Sequence, residues 1–267
     1  MRPHNMGLVK TRAVVLKSQR WGEADRIITF YTEKLGKIRG IARGARRLKS
    51  RLGGPLEPFG FIEITIFEKS PETLVRISQV DVIKSFGKLR EDLTVMAAAA
   101  RMVNMIKAIT PDRDPHSTIF NTLVGGLQAL EEESDPELSN LLFQVHILGQ
   151  TGFRPQTDHC AQCNSDIDVK KAQFSPSSGG LVCGSCRARI VDRCFPISPG
   201  SLAFIQQARR LPFPMVSRLR ATGQIRREVE EVIDSYVQHV IGKPLPPNSL
   251  WAAEPMPSAY PPSSNAG

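Results

Sequence analysis

The sequence predicts an α+β protein: a small β-barrel first, then an all-α domain that carries a four-cysteine metal module. Three observations lead there. Apolar residues recur at every second position within residues 8–87 and at helical spacing from residue 90 onward. Four cysteines then form two Cys-x2-Cys pairs inside the helical part. The boundaries that follow are 8–87 for the barrel and 88–156 and 196–242 for the two parts of the helical domain. Residues 157–195 form the cysteine module and 243–267 a tail.

Five short runs make up the first domain. "TRAVVLK" and "RIITFYT" are rich in β-branched and aromatic residues, as strands are. "FIEITIF" places Ile62, Ile64 and Ile66 on one face and Glu63 and Thr65 on the other, the alternation of a half-buried strand. "TLVRISQVDVI" is the last run. Five strands in so short a span suit a small antiparallel barrel such as the OB-fold. "KIRGIAR" is its third strand, with Lys37, Arg39, Ile41 and Arg43 on one face and Ile38 and Ala42 on the other. "GARRLKSRLGG" reads as a mobile loop before the fourth strand.

From residue 90 the period is helical. Asp92 caps a first helix through Met96, Val103 and Ile106 that stops at Thr110-Pro111. "DPHSTIFNTLVGGLQALEEE" and "DPELSNLLFQVHILGQTG" each open on Asp-Pro, which predicts Asp at the cap and Pro in the first turn. Leu138, Leu141, Leu142, Val145 and Leu148 line one face of the third helix, and Gly149 and Gly152 suit its end. "SPGSLAFIQQARRL" and "QIRREVEEVIDSYVQHVI" follow the cysteines. The last 25 residues hold seven prolines and read as a disordered tail.

Composition bounds the function. Apolar content of 41% and charged content of 23% are those of a globular protein. A net charge of +9 points to a polyanion, nucleic acid or an anionic surface, rather than to a basic protein without such a partner. The charge is concentrated: residues 8–87 hold 16 basic against 8 acidic residues, and the rest of the chain is almost balanced. The longest apolar run, "VMAAAA", is far short of the roughly 20 residues of a membrane span. The N-terminus has no signal-peptide core and Met6 is a plausible alternative start, so the chain reads as cytoplasmic, with reduced thiols.

Cys160, Cys163, Cys183 and Cys186 follow the pattern Cys-x2-Cys, nineteen residues, Cys-x2-Cys. Each pair turns tightly enough to aim two thiolates at one ion, and two pairs complete the tetrahedron of a structural Zn2+. Two disulfides do not suit a reducing compartment, and a redox pair needs no second knuckle. Four thiolates leave no place for a reactive water. Cys194 is a small buried residue on this reading rather than a fifth ligand, and His159 a neighbour of the ligands.

No catalytic constellation accompanies this site. "GIARGAR" lacks the spacing and the Lys-Ser/Thr of a phosphate loop, and no Gly-x-Gly-x2-Gly occurs. The five histidines are scattered and the deaminase pattern is missing. The chain reads as a non-enzyme.

"KLGKIRGIARGARRLKSRL", residues 34–52, packs eight Lys or Arg with no acid. Lys37, Arg39 and Arg43 on the barrel, extended by Arg46, Arg47, Lys49 and Arg51 on the loop, form a track for phosphates, bordered by Arg20 and Arg26. A merely solvated loop would be served by Lys, whereas Arg suits bidentate phosphate contacts. Trp21, read as lying in a turn, and Tyr31, read as facing outward, are candidates for base stacking.

Three features together resemble the RecO family of bacterial DNA-repair and recombination mediators. They are "AVVLKSQRWGEADRIITFYTEKLGKIRGIARGARRLKSRLGG", "TGFRPQTDHCAQC" with "FSPSSGGLVCGSC", and the order barrel, helices, cysteines, helices. The resemblance implies an OB-fold joined to a helical domain and binding of single- and double-stranded DNA. It implies annealing of complementary strands and partnership with RecR and the single-strand-binding protein, so that RecA is loaded onto coated strands. It also implies nucleoid association and no ATP. The acidic, Phe-ended tail of the single-strand-binding protein would dock on the helical domain, with Arg209 and Arg210 as candidates. Two competing readings are an RNA-binding OB-fold and zinc protein and, from another class, a zinc hydrolase.

Overall fold

A computed structural model describes residues 7–48, 50–68, 74–132, 135–211 and 219–245. Strands β1 (Gly7–Trp21), β2 (Asp25–Thr32), β3 (Gly36–Ala42), β4 (Phe61–Glu68) and β5 (Val75–Lys84) close into a barrel. Their order is β1-β2-β3-β5-β4, with β4 pairing back onto β1. Four seams are antiparallel and one is not: β3 and β5 pair in parallel, through Gly40–Val75 and Ile41–Arg76. A Cβ on Gly40 would sit 2.9 Å from the Val75 side chain, so glycine lets this short seam close.

The alternation read in β4 is the inside of the barrel. Ile62, Ile64 and Ile66 pack there with Ala13, Val15, Ile28, Phe30 and Ile38. Part of the outer face is also buried. Val14, Leu16, Tyr31 and Phe61 point outward and join the core of the helical domain. Tyr31 is therefore fully buried, and burial holds its hydroxyl up to about 12.

Helices α1 (Leu93–Ile109), α2 (Ser117–Glu132) and α3 (Pro136–Gln150) follow. Asp92 and Asp135 cap α1 and α3 as the sequence predicts, accepting from Thr94 N at 2.6 Å and Leu138 N at 3.0 Å. The Asp114-Pro115 pair does not cap α2, which starts at Ser117. Asp114 binds His116 Nε2 at 3.0 Å instead, and its backbone packs against Gly36. A Cβ on Gly36 would come within 2.5 Å of that backbone, and its φ of +65° also requires glycine.

The single apolar face read for α3 is too narrow. Every residue from Leu138 to Leu148 is buried, because α1, α2 and two later helices, α5 (Pro199–Arg210) and α6 (Gly223–Ile241), pack around it. Helix α5 (Pro199–Arg210) begins on the Ser198 cap, and α6 (Gly223–Ile241) ends at Gly242 in the left-handed region. Between α3 and α5 the cysteine segment forms a small sheet, β7-β6-β8, and the short helix α4 (Gly184–Arg187). The sheet comprises β6 (Gln173–Ser175), β7 (Gly180–Val182) and β8 (Phe195–Pro196). Phe174 meets Tyr236 of α6 edge to face at 5.5 Å, so the module shares the helical core. The Pro-rich stretch read as disordered lies, from residue 246 on, outside the described residues.

Barrel and helices are fastened at several points. Phe61 packs edge to face on Phe120 at 6.1 Å, Lys84 pairs with Glu131 at 2.8 Å, and Arg113 pairs with Glu68. No helix among the described residues is long and apolar enough to cross a membrane.

Candidate nucleic-acid interface and metal centre

The nine basic residues picked out by sequence divide into those that fasten the protein to itself and those left free. Lys37 points outward from β3 as predicted, but α1 covers it. Its ammonium donates to Lys107 O at 2.7 Å and Thr110 O at 2.6 Å, and Asp112 lies 3.3 Å away. These carbonyls end α1, where the helix dipole is negative and intrahelical donors run out. Arg26 is held by Glu57 at 2.6 Å and Ser18 at 3.2 Å. Arg46 donates to Glu23 O at 2.8 Å, tying the loop after β3 to the β1–β2 turn.

Arg20, Arg39, Arg43, Arg47 and Arg51 are exposed, and among the described residues their side chains make no hydrogen bond or ion pair. Lys49 lies outside the described residues. The loop read as mobile has anchors: Ala45 and Leu56 insert into the barrel core, and Arg46 N donates to Ala24 O at 2.9 Å. Of the stacking candidates, Tyr31 is sealed under the helices, while Trp21 ends β1 rather than lying in the turn and is 48% exposed.

Sequence reasoning passed over Arg76 and Phe67. Arg76 pairs with Ile41 across the parallel seam, which places it diagonally between Arg39 and Arg43. With Arg43, Leu52 and Phe67 it lines a groove of about 380 Å³, and Phe67 is 44% exposed. The signal was present: alternation puts Phe67 on the outer face with Glu63 and Thr65, and Arg76 outward between Val75 and Ile77. The parallel seam that joins them to β3 follows from no local pattern.

The four cysteines of the motif converge. Their sulfurs all lie within 4.8 Å of one another, and Cys163 and Cys183 are 3.8 Å apart. Zinc–sulfur bonds of about 2.3 Å give a tetrahedron with edges of about 3.8 Å, so the donor set fits. All are free thiols. Cys160, buried, accepts from Cys183 N at 3.4 Å. Burial opposes its ionisation, but the amides of Cys163, Cys183 and Gln162 bring the thiol down to about 6. Cys186 is pushed up to about 12, first by its hydrogen bond with Cys163. Such a cluster could hold a metal ion. Cys194 stands apart, bonded to Asp192 O, and His159 pairs with Asp166 at 3.2 Å.

At the end of α5, Arg209 binds Pro155 O and Thr157 Oγ1 at 3.4 Å. Burial, then the nearby charge of Arg154, lowers its pKa. Arg154 and Arg210 are exposed beside it.

Barrel, bundle and cysteine module define the class: an OB-fold protein with a charged outer strand face, joined to a helical domain that carries a four-thiol site. Comparison with known proteins narrows it. Residues 6–86 match the family described as "Recombination protein O N terminal", and residues 90–248 match "Recombination protein O C terminal". A "DNA repair protein RecO" of Rubrobacter xylanophilus is 35% identical over 228 residues, 84% of this chain and 90% of that protein. Proteins of the same name from Anaeromyxobacter dehalogenans and Dehalococcoides mccartyi are each 31% identical, over 240 and 250 residues. These alignments cover 90% and 94% of this chain, and 94% and 96% of those proteins. The chain belongs to the RecO family, and with that family goes a role in DNA repair and recombination.

Proposed function

We propose that the chain binds single- and double-stranded DNA on its barrel, anneals complementary strands, and with RecR helps load RecA onto strands coated by single-strand-binding protein. It acts as a non-enzymatic mediator in the cytoplasm, on the nucleoid. The observation that carries this reading is the set of free guanidiniums, Arg39, Arg43, Arg47, Arg51 and Arg76, on β3, β5 and the loop after β3. Unpaired Arg in that density exacts a cost in self-repulsion that a phosphate backbone relieves. Phe67 beside Arg43 and Arg76 offers a base a stacking partner, a contact of about 1–3 kcal/mol that accepts any sequence. Charge and stacking together hold a strand without reading it, as annealing requires.

The four thiolates hold one structural Zn2+. With all four positions filled by sulfur the metal carries no water and serves to fold the module. For the acidic tail of the single-strand-binding protein, Arg210 at the end of α5 and Arg154, which follows α3 and lies near Arg209, are a surface of matching sign on the helical domain.

The test is annealing of complementary strands coated with single-strand-binding protein, with and without RecR. Five neutralised phosphates on a single strand give a slope of log K against log salt of about −3.5. Reversing the charge at Arg43, Arg47 and Arg76 should remove more than half of that slope and abolish annealing while the thermal melt is kept. Full annealing by this variant would move the site elsewhere. A preference for structured RNA over DNA of equal length would reassign the protein to RNA.

A further inference from the structure

The loop between β3 and β4 is built as a finger. Its two limbs meet at a neck: Ala45 packs into the barrel core, and a Cβ on Gly53 would come within 2.7 Å of Ala45 O. Beside the neck, Arg46 N donates to Ala24 O at 2.9 Å and the Arg46 guanidinium to Glu23 O at 2.8 Å. The base of the finger is thus braced against the β1–β2 turn. At the far end a turn closes, with Ser50 N donating to Arg47 O at 2.9 Å. Leu48 stands within that turn and is 107% exposed, the most exposed of the large apolar side chains among the described residues.

A single exposed leucine is ordinary on a protein surface. This one differs in where it is held. Turn tips are positions for Gly, Pro, Asn, Asp and Ser, which supply backbone freedom or local hydrogen bonds. Leucine supplies neither. On its flanks Arg47 and Arg51 are exposed and, among the described residues, without a hydrogen bond or ion pair, and so is Arg43 at the root. No carboxylate occurs between residues 34 and 56. An apolar point between cations fits a surface that is anionic at its edges and apolar within. Duplex DNA is such a surface, with phosphates outside and stacked bases inside.

Position selects the form of DNA. Leu52, on the returning limb of the finger, lines the groove in which Phe67 stands with Arg43 and Arg76. One loop therefore borders the groove for an unpaired strand and projects Leu48 into solvent. An aromatic ring stacks on a free base, whereas an aliphatic side chain acts by wedging between base pairs. Phe67 suits unpaired DNA and Leu48 suits paired DNA, and a junction presents both.

We propose that Leu48 is a wedge for the junction between single-stranded and duplex DNA, a role that rests on the DNA binding proposed above. The unpaired strand lies along Arg43, Phe67 and Arg76. Leu48 enters beside the first base pair, and Arg47 and Arg51 hold phosphates on either side of it. The first pair has a stacked neighbour on one side only, so space opens there at the least cost. During annealing this junction is the point at which the two strands close.

The test uses the full chain and three DNAs of equal nucleotide number: a fork with two unpaired arms, a blunt duplex and a single strand, each read by anisotropy. A 2-aminopurine base in the first pair of the fork reports unstacking as a rise in fluorescence. The fork should bind about fivefold more tightly than either other DNA, and the protein should raise the 2-aminopurine signal. Leu48→Ala should remove the margin and the rise, while single-strand affinity, its salt slope and the thermal melt stay as they are. Leu48→Met keeps an apolar side chain of similar size and should retain both. If fork and single strand bind equally, or if Leu48→Ala keeps the margin and the rise, the wedge is wrong and the single-strand groove stands. If the wild-type chain binds none of the three, both readings are wrong. Vesicles of phosphatidylglycerol and phosphatidylcholine are the last arm. Leu48-dependent binding to them without a fork preference would overturn the proposal and assign the finger to an anionic membrane.

Discussion

Lys37 lies on β3 and Arg43, read as part of that strand, lies one residue past its end at Ala42; the two are six residues apart in number and opposite in surroundings. Replacing each by Met separates structural charge from binding charge. Lys37→Met removes two bonds from an ammonium to carbonyls of 2.7 and 2.6 Å, plus a favourable charge at the end of α1. Charge-assisted hydrogen bonds contribute about 1.5–3 kcal/mol each, and a cation at a helix C-terminus about 0.3–1 kcal/mol. The freed carbonyls recover part of this by hydration, so the net loss should be about 2–3 kcal/mol. In a chain of this size each kcal/mol lowers Tm by roughly 2–4 °C, so the melt should fall by about 5–10 °C. Arg43→Met breaks no described contact and should cost less than about 0.5 kcal/mol. It should instead reduce the salt slope of single-strand binding by about 0.7, one phosphate contact. Differential scanning fluorimetry and anisotropy at four salt concentrations read both quantities. If Lys37→Met keeps its melt and flattens the salt slope, the clamp is wrong and Lys37 faces DNA.

Two further outcomes follow from the helical domain. Metal analysis of the native protein should find one zinc per chain, and Cys160→Ser should lose it and lower the melt, because metal binding and folding are coupled. Native protein without zinc would sink the assignment. Glu228 accepts from Ser198 N at 2.8 Å and Ser201 Oγ at 2.6 Å, pinning the start of α5 to α6. Burial opposes its ionisation, but these donors bring its pKa from 4.5 to about 2. A pKa depressed on folding means that the carboxylate stabilises fully above about 4.5 and loses this contribution as pH falls towards 2. Glu228→Gln should therefore be less stable at neutral pH and flatter in that acid range. Parallel urea midpoints for the two proteins from neutral pH down to 2 would disprove the pin.

Local pattern carried much of the architecture. The barrel strands, the caps at Asp92 and Asp135, and the convergence of four cysteines each depend on residues close in sequence. The failures share a cause. Asp114-Pro115 has the form of a cap, yet Gly36 presses on its backbone from another domain. The stripe on α3 became a fully buried run because four helices enclose it. Tyr31 does face outward from the barrel, but into the bundle.

What the sequence by itself determined is periodicity, turn chemistry and charge density: a barrel, a helical domain, a thiol site and a block of arginine. Only the tertiary structure sorted that block. Whether a cation on an outward strand face meets carbonyls, a carboxylate or open solvent depends on what the rest of the chain lays against that face. For Lys37 it is the end of α1, for Arg26 it is Glu57, and for Arg39, Arg43 and Arg76 it is nothing among the described residues. Strand alternation is local and survives in the sequence. The contact across the parallel seam, which brings Arg76 and Phe67 to Arg43, is set by closure of the barrel, and no neighbouring residue encodes it.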